Sequence, residues 1–197
     1  DGGVVCIPTD TVYALATLAK DSIAISKVFR IKERDETIAL PVLIGSFDQI
    51  TQFTDNVTYL EKVLADAFWP GALTIVVEKS DSVPGNLTGS LNTVGCRMPN
   101  HKTPLKLAQI IKTGITGTSA NKSGFPSAVS IKEVLEQFKD SEIDLIIDGG
   151  NSKSNIPSTV IQCINSKINI LREGAISKDS ISRVIAKYQG FKVESNE

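Results

Sequence analysis

The sequence predicts an α/β fold, in which helices cover a mixed, twisted sheet. Short apolar runs alternate along the chain with stretches whose apolar residues recur at helical spacing. Two late strands, at residues 158–164 and 168–171, follow each other closely enough to pair. The chain of 197 residues shows no internal repeat. We therefore expect one domain over residues 1–188, followed by a tail or linker at residues 189–197.

In the first half of the chain, strands and helices are predicted in turn. An apolar run at residues 4–8 predicts a strand that leads into the small hydroxyl side chains of PTDTVYAL. Residues 21–32 carry a wide apolar stripe after Asp21, a suitable N-cap, and so predict a helix. The next predicted elements are a strand at 40–45, helical stretches at 46–53 and 57–68, and, after the corner FWPG, a strand at 73–78.

In the second half, helix caps and loop residues mark the elements. Thr103 and Pro104 predict the start of a helix, and Ser130 with Glu133 predicts a capping box. The stretch ITGTSANKSGFPS, residues 115–127, begins like a buried strand and then turns small and polar, as at the strand ends where α/β proteins bind ligands. The remaining predicted elements are a loop at 81–91, strands at 93–99, 144–148, 158–164 and 168–171, and a final helix carrying Ile181, Val184, Ile185 and Tyr188.

Composition excludes several classes of protein. Twenty-one basic residues against 22 acidic residues give a net charge of −1, which argues against a protein that coats nucleic acid. The three cysteines have no C-x-x-C spacing and the only histidine is His101, so we predict no Cys/His metal site and expect a reduced, cytoplasmic protein. No apolar run is long enough to span a membrane. Because the chain starts at Asp1 without a methionine, we expect a truncated N-terminus, which leaves organellar targeting open.

Polar residues without a structural explanation are either cationic or small and neutral, and most lie near the ends of predicted elements. Arg presents a planar fork to phosphate or carboxylate, whereas Lys acts as a point charge. The chain has no P-loop, no Rossmann glycine motif and no G-x-S-x-G elbow. From the cationic and neutral residues alone, we predict an α/β protein whose ligand carries phosphate or carboxylate groups, such as a nucleoside triphosphate. The cations are Lys32, Arg34, Arg97 and Arg172, and the neutral residues are Thr9, Thr11, Thr93, Ser119, Asn121 and Ser158.

Eight motifs together resemble the YrdC-like family of threonylcarbamoyl-AMP synthases. In order they are PTDTVYAL, the K-x-R of Lys32 and Arg34, FWPGALT, VGCRMP, TSANKSG with FPS, IDGG, PSTVI and LREGAI, and the resemblance covers residues 4–188. The resemblance implies a mixed, largely parallel sheet with a concave, positively lined cavity. It also implies a nucleotidyltransferase that makes threonylcarbamoyl-AMP and pyrophosphate from L-threonine, bicarbonate and ATP. The implied cofactor is Mg²⁺ held mainly by the ATP phosphates.

The resemblance also implies partners and residue roles. The product would serve N6-threonylcarbamoyladenosine formation in tRNA, through a separate threonylcarbamoyl transferase complex and with weak tRNA binding at most. Lys32 and Arg34 would be the catalytic residues. Threonine would be bound by Thr11, Arg97, Ser119 and Ser158, and ATP by Lys32, Arg34, Thr93, Asn121 and Arg172.

The chain departs from the family pattern at several positions. Ala14 and Glu33 stand where the family usually has glycine, and Asp35 stands where it has proline. Asp35 and Glu36 place two negative charges beside the cations expected to face phosphate, unless their carboxylates point to solvent.

Two other functions remain open at this point. A carbamoyl-adenylate-handling transferase relative would use carbamoyl phosphate, but its fused acylphosphatase or zinc-finger segment is not visible here. A non-catalytic RNA-binding module is disfavoured by the near-neutral charge, although a concave basic patch would favour it.

Overall fold

Strands and helices alternate along the chain in the computed structural model, which describes residues 2–152, 154–164, 167–188 and 192–195. The α-helices are α1 (Ser22–Lys32), α2 (Tyr59–Phe68), α3 (Lys102–Ile111), α4 (Ile131–Phe138) and α5 (Lys178–Ile185), and two short 3₁₀ helices cover Phe47–Gln52 and Gly85–Leu87. The strands are β1 (Val5–Ile7), β2 (Ala14–Ala16), β3 (Val42–Leu43), β4 (Leu73–Glu78), β5 (Thr93–Arg97), β6 (Ile115–Thr116), β7 (Thr118–Ser119), β8 (Leu145–Ile146), β9 (Thr159–Ile164), β10 (Lys167–Arg172) and β11 (Lys192–Ser195).

The strands form two mixed sheets. One has the order β7-β2-β1-β8, and the other has the order β11-β10-β9-β4-β5-β3-β6. Among the described strand pairs, five are antiparallel and four are parallel. The predicted α/β class with mixed strands and flanking helices is therefore confirmed, with a larger antiparallel share than the resemblance implied. The two late strands pair as expected, since β9 and β10 are antiparallel neighbours.

Helix caps follow the sequence closely, with two differences. The Asp21 carboxylate accepts hydrogen bonds from the backbone N–H groups of the first turn of α1, as predicted. Helix α3 begins one residue earlier than Thr103, because His101 is its N-cap and accepts the Thr103 N–H at Nδ1. At α4 the Ser130 hydroxyl accepts the Glu133 N–H, but the Glu133 carboxylate accepts the N–H of Val129 rather than that of Ser130.

The main hydrophobic core lies between the sheets and their helices. Tyr13, Phe29 and Phe53 are among its largest buried side chains. Trp69, in the corner FWPG, also lies in this core, where its indole N–H donates to the carbonyl oxygen of Leu73 at 2.7 Å.

The expected tail at residues 189–197 needs a correction where it is described. Lys192–Ser195 forms β11, which pairs in parallel with β10, because β10 offers a free edge that a following extended segment can join. Residues 189–191 and 196–197 lie outside the described residues. In the described part of the chain, no helix has the length and apolar character needed to cross a membrane.

Candidate active site

A cavity of about 580 Å³ opens between the walls of the two sheets. Thr93, Gly95 and Arg97 all line it because alternate residues of β5 project from the same face of the sheet. The four-stranded sheet contributes wall residues from β2 and β7, including Ala14 and Ser119. Further wall residues from β4, β9 and β10 are Thr74, Val76, Val160, Gln162, Leu171 and Arg172.

Arg97 is buried at the C-terminal end of β5 and makes three hydrogen bonds. Its Nε donates to the Gly71 carbonyl at 2.9 Å, its Nη1 to the Thr11 hydroxyl at 3.1 Å and its Nη2 to the Asp10 carboxylate at 2.5 Å. Burial lowers the pKa of Arg97, while the neighbouring Asp10 charge raises it. The anionic partner that a buried arginine requires is therefore Asp10, which the sequence reasoning did not identify.

Arg172 lies at the end of β10, in the same sheet as Arg97, and is fixed by the segment before β9. Its Nε and Nη2 donate to the carbonyl oxygen of Ser158 at 3.2 and 2.7 Å, and Nη2 also contacts the Ser158 hydroxyl at 3.1 Å. That hydroxyl lies 2.9 Å from the hydroxyl of Thr74. Partial burial lowers the pKa of Arg172, and the positive charges of Arg97 and Arg34 lower it further.

Arg34 is the third arginine of the cavity. It follows α1 directly, because Glu33 adopts a left-handed conformation with φ of 52° that ends the helix. Its Nη1 approaches the Thr118 hydroxyl at 3.4 Å, and burial lowers its pKa. Three arginines line the cavity and none of its described wall residues is acidic, so the site favours a ligand with several negative charges.

Lys32 lies behind this wall rather than on it. Its side chain is 1% exposed, and its ammonium group donates to the carbonyl oxygens of Ser119 and Asn121, the latter at 2.7 Å, and approaches the Asn121 Oδ1 at 3.5 Å. Burial and the charge of Arg34 lower the pKa of Lys32 to about 7. The Ser119 hydroxyl donates to the same Oδ1 at 2.5 Å. Lys32 therefore holds the turn that presents Ser119 to the cavity.

Most of the residues predicted from the sequence come together in the structure. Of the nine residues to which the resemblance gives a role, seven line the cavity, and the two others, Lys32 and Asn121, support the turn behind Ser119. Their roles toward threonine and ATP remain predictions. The seven are Thr11, Arg34, Thr93, Arg97, Ser119, Ser158 and Arg172.

Some wall residues were not predicted from the sequence, and the two acidic residues that follow Arg34 lie outside the wall. Thr74 and Gln162 also line the cavity, and the alternation of side chains along β4 and β9 was the signal that could have found them. Asp35 and Glu36 are exposed and are not part of the wall, and the Asp35 carboxylate accepts the N–H of Thr37 at 2.8 Å. Their charges are thus directed away from the cavity.

Comparison with known proteins places this site in a family. The family model described as "Sua5_yciO_yrdC: Telomere recombination" matches residues 1–174. The chain is 38% identical over 187 residues to the threonylcarbamoyl-AMP synthase of Pyrococcus abyssi, covering 95% of this chain and 55% of that protein. It is also 38% identical over 185 residues to the Bacillus subtilis protein of the same name, covering 92% of this chain and 53% of that protein.

A solved structure agrees with the sequence comparisons. The crystal structure of P. abyssi Sua5 complexed with L-threonine superposes with a TM-score of 0.91 at 37% identity, covering 98% of this chain and 56% of that one. The chain thus spans about half the length of these relatives.

Proposed function

This chain belongs to the Sua5/YciO/YrdC family, and we propose that it makes threonylcarbamoyl-AMP and pyrophosphate from L-threonine, bicarbonate and ATP. The observation that carries the proposal is the convergence of Arg34, Arg97 and Arg172 with hydroxyl side chains on one cavity. The names of the relatives and the threonine bound by P. abyssi Sua5 support it.

The proposed reaction needs no protein nucleophile. The threonine amine and bicarbonate combine, with loss of water, into an N-carboxylate. One oxygen of this carboxylate attacks the α-phosphorus of ATP, the bond to the bridging oxygen of the β-phosphate breaks, and pyrophosphate leaves. Charge therefore moves onto pyrophosphate, and cations fixed in advance stabilise the transition state without reorganising.

The cavity residues divide between the two substrates in this proposal. Arg97 offers its fork to the threonine carboxylate, with Thr11 beside it. Arg34 and Arg172 face the phosphates from two walls. Lys32 contributes by holding the Ser119 turn, through its hydrogen bonds to the carbonyl oxygens of Ser119 and Asn121. At an effective dielectric constant near 20, unit charges 4 Å apart interact by about 4 kcal/mol, so each cation of a partly buried site matters.

Magnesium would arrive with the nucleotide. No three His, Cys, Asp or Glu side chains within the described residues form a cluster able to hold a metal ion, and the wall offers hydroxyl oxygens instead of carboxylates. This donor set fits Mg²⁺ that is bound mainly through phosphate oxygens and water. When bound, the ion neutralises phosphate charge.

The product would be handed to a tRNA-modifying threonylcarbamoyl transferase complex, with at most weak tRNA binding by this chain, in the cytoplasm. The relatives at 38% identity are about twice as long as this chain. Their role is therefore assigned to this chain as part of the proposal.

Pyrophosphate release from ATP and Mg²⁺, with threonine and bicarbonate varied independently, tests the proposal. Release that requires both substrates is the expected result. Release with carbamoyl phosphate alone would instead support the carbamoyl-transferring relative. A folded protein that releases no pyrophosphate but binds RNA in a steeply salt-dependent manner would contradict the proposal and favour an RNA-binding module.

A further inference from the structure

The guanidinium group of Arg97 is held on three sides before any ligand arrives. Gly71, Thr11 and Asp10 each accept one of its hydrogen bonds, from Nε, Nη1 and Nη2 respectively. A guanidinium group has five N–H bonds, so two remain for a ligand. The orientation of these two bonds is therefore set by the three protein acceptors.

Asp10 differs from the other two acceptors because it is charged, and like Gly71 it lies outside the cavity wall. The side chains of Arg97 and Asp10 are 7% and 14% exposed, so water and salt screen their attraction only weakly. All three bonds have an ionised donor, but only the bond to Asp10 also has an ionised acceptor, which adds the attraction between opposite charges. Asp10 is thus the strongest of the three constraints on Arg97.

The turn that carries Asp10 is itself fixed. The Thr9 hydroxyl donates to the carbonyl oxygen of Val12 at 2.6 Å and accepts the backbone N–H of Thr11 at 3.1 Å. These bonds span the residues on both sides of Asp10, so they fix the backbone from which its carboxylate projects. Asp10 therefore has the rigidity needed to orient another side chain.

We propose that Asp10 is a positioning residue, which holds Arg97 so that its two remaining N–H bonds grip the carboxylate of threonine. This inference rests on the proposed function, because it takes threonine as the ligand at Arg97. Arginine binds carboxylate best when both form a planar, bidentate pair, and a rotated guanidinium loses one of the two bonds. Around metal sites, the residues that hold the binding side chains contribute about 10–100-fold to affinity or activity, and we expect an effect at the lower end of that range here.

The charge of Asp10 also has an opposite effect, since it repels the carboxylate of the ligand. That carboxylate would touch Arg97 directly, whereas it would meet Asp10 only across Nη2, the nitrogen that donates one N–H bond to Asp10 and keeps the other for the ligand. The two carboxylates would therefore lie farther from each other than either lies from Arg97. Because the Coulomb energy falls with distance, we expect the loss of orientation to outweigh the relief of repulsion when Asp10 is changed. The two effects predict opposite changes in the KM for threonine, which makes the proposal testable.

The test uses pyrophosphate release with threonine and ATP varied in turn. Asp10→Ala should raise the KM for threonine about 10-fold and leave the KM for ATP nearly unchanged. If the alanine variant does not fold, Asp10→Asn is the alternative, because its amide oxygen can still accept a hydrogen bond from Arg97. It should raise the KM for threonine by a smaller factor, and Asp10→Glu should recover part of the loss. A threonine KM for Asp10→Asn at or below the wild-type value would overturn the proposal.

Two controls separate positioning from a general effect on stability. In an Arg97→Met background, Asp10→Asn should raise the KM for threonine no further, because Asp10 acts only through Arg97. Asp144→Asn breaks the 2.9 Å ion pair with Lys27, which is remote from the cavity, and should change neither KM. An equal effect of Asp10→Asn with and without Arg97, or an equal effect of Asp144→Asn, would overturn the inference.

Failure of the proposed function would be recognised in the wild-type protein. If the wild type releases no pyrophosphate with threonine, bicarbonate and ATP, the proposed function is wrong and the inference falls with it. If the wild type is active and the Asp10 variants keep its KM for threonine, only the inference is wrong.

Discussion

The ammonium group of Lys32 is buried among backbone and amide oxygens, where burial and the charge of Arg34 lower its pKa to about 7. A lysine in an unfolded chain titrates near pH 10.4. From about pH 7 to pH 10 the unfolded state therefore binds more protons than the folded state. Under this condition the free energy of unfolding rises with pH, and the cost of burying the charged form is fully present only below pH 7.

We expect Lys32→Met to abolish this dependence. The free energy of unfolding of the wild type minus that of the variant should increase by about 2 kcal/mol between pH 7 and pH 9, because the folded wild type loses the Lys32 proton over this range while the unfolded chain keeps it. Urea unfolding at several pH values measures the difference. A difference that stays constant over this range would show that Lys32 keeps its proton in the folded state.

Arg172 is the wall arginine whose change should report on nucleotide binding. Its guanidinium group contacts Ser158 and lies close enough to Arg34 and Arg97 for their charges to lower its pKa. Arg172→Gln keeps a hydrogen-bond donor and removes the charge, so we expect the KM for ATP to rise on the order of 10-fold. The KM for threonine serves as the internal control. A selective rise in the threonine KM instead would place Arg172 at the other substrate.

At the scale of elements, the connection after β10 is packed directly against the segment that carries Ser158. A Cβ atom on Gly174 would lie 2.4 Å from the carbonyl oxygen of Pro157 and 2.5 Å from the carbonyl carbon of Ser158. Both contacts are with backbone atoms, so one of the two segments would have to move. The glycine thus keeps the two segments close enough for Arg172 to reach Ser158.

Gly174→Ala should therefore affect both stability and the site. We expect a loss of about 1–3 kcal/mol in the free energy of unfolding, as for other overpacked positions, with a higher KM for ATP. Thermal or urea unfolding and pyrophosphate release check the two effects. Gly85→Ala is the matched control, because a Cβ there meets nothing within 4 Å. Equal stability of the two variants would contradict this account.

Elements with strong local signals could be predicted from the sequence, and elements that depend on distant partners could not. Helix α1 with its Asp21 cap and strand β4 over Leu73–Glu78 lie where the apolar pattern predicts them. The strand expected at residues 40–45 is paired only over Val42–Leu43. Strand β11 forms by pairing with β10, and no local sequence pattern near β11 predicts that pairing.

In the site, too, residues with a local sequence signal could be predicted, whereas contacts between distant residues could not. Hydroxyl and cationic residues at strand ends were recognisable, because a buried strand has no packing use for them. Arg97 and Asp10 are 87 positions apart in the sequence, and so are Lys32 and Ser119. Such contacts depend on how the two sheets face each other, which the order of motifs does not specify.

At the scale of the whole molecule, the cavity collects its walls from segments along almost the full chain, from Thr9 to Arg172. A ligand that contacts β2 and β7 on one side and β5, β9 and β10 on the other would link the two sheets. The unfolded chain cannot offer this arrangement, because its binding groups are far apart. Binding should therefore stabilise the folded state by mass action alone.

ATP with Mg²⁺ should accordingly raise the thermal unfolding temperature. A ligand at 100 times its Kd contributes about 2.7 kcal/mol, and in a chain of 197 residues each kcal/mol corresponds to about 2–4 °C. We expect a rise of about 5–10 °C, measured by scanning calorimetry at saturating nucleotide. Adenosine lacks the phosphates that the arginines attract, so its shift should be far smaller, and Arg172→Gln should reduce the ATP shift. Equal shifts for adenosine and ATP would mean that the arginine cluster does not bind the phosphates.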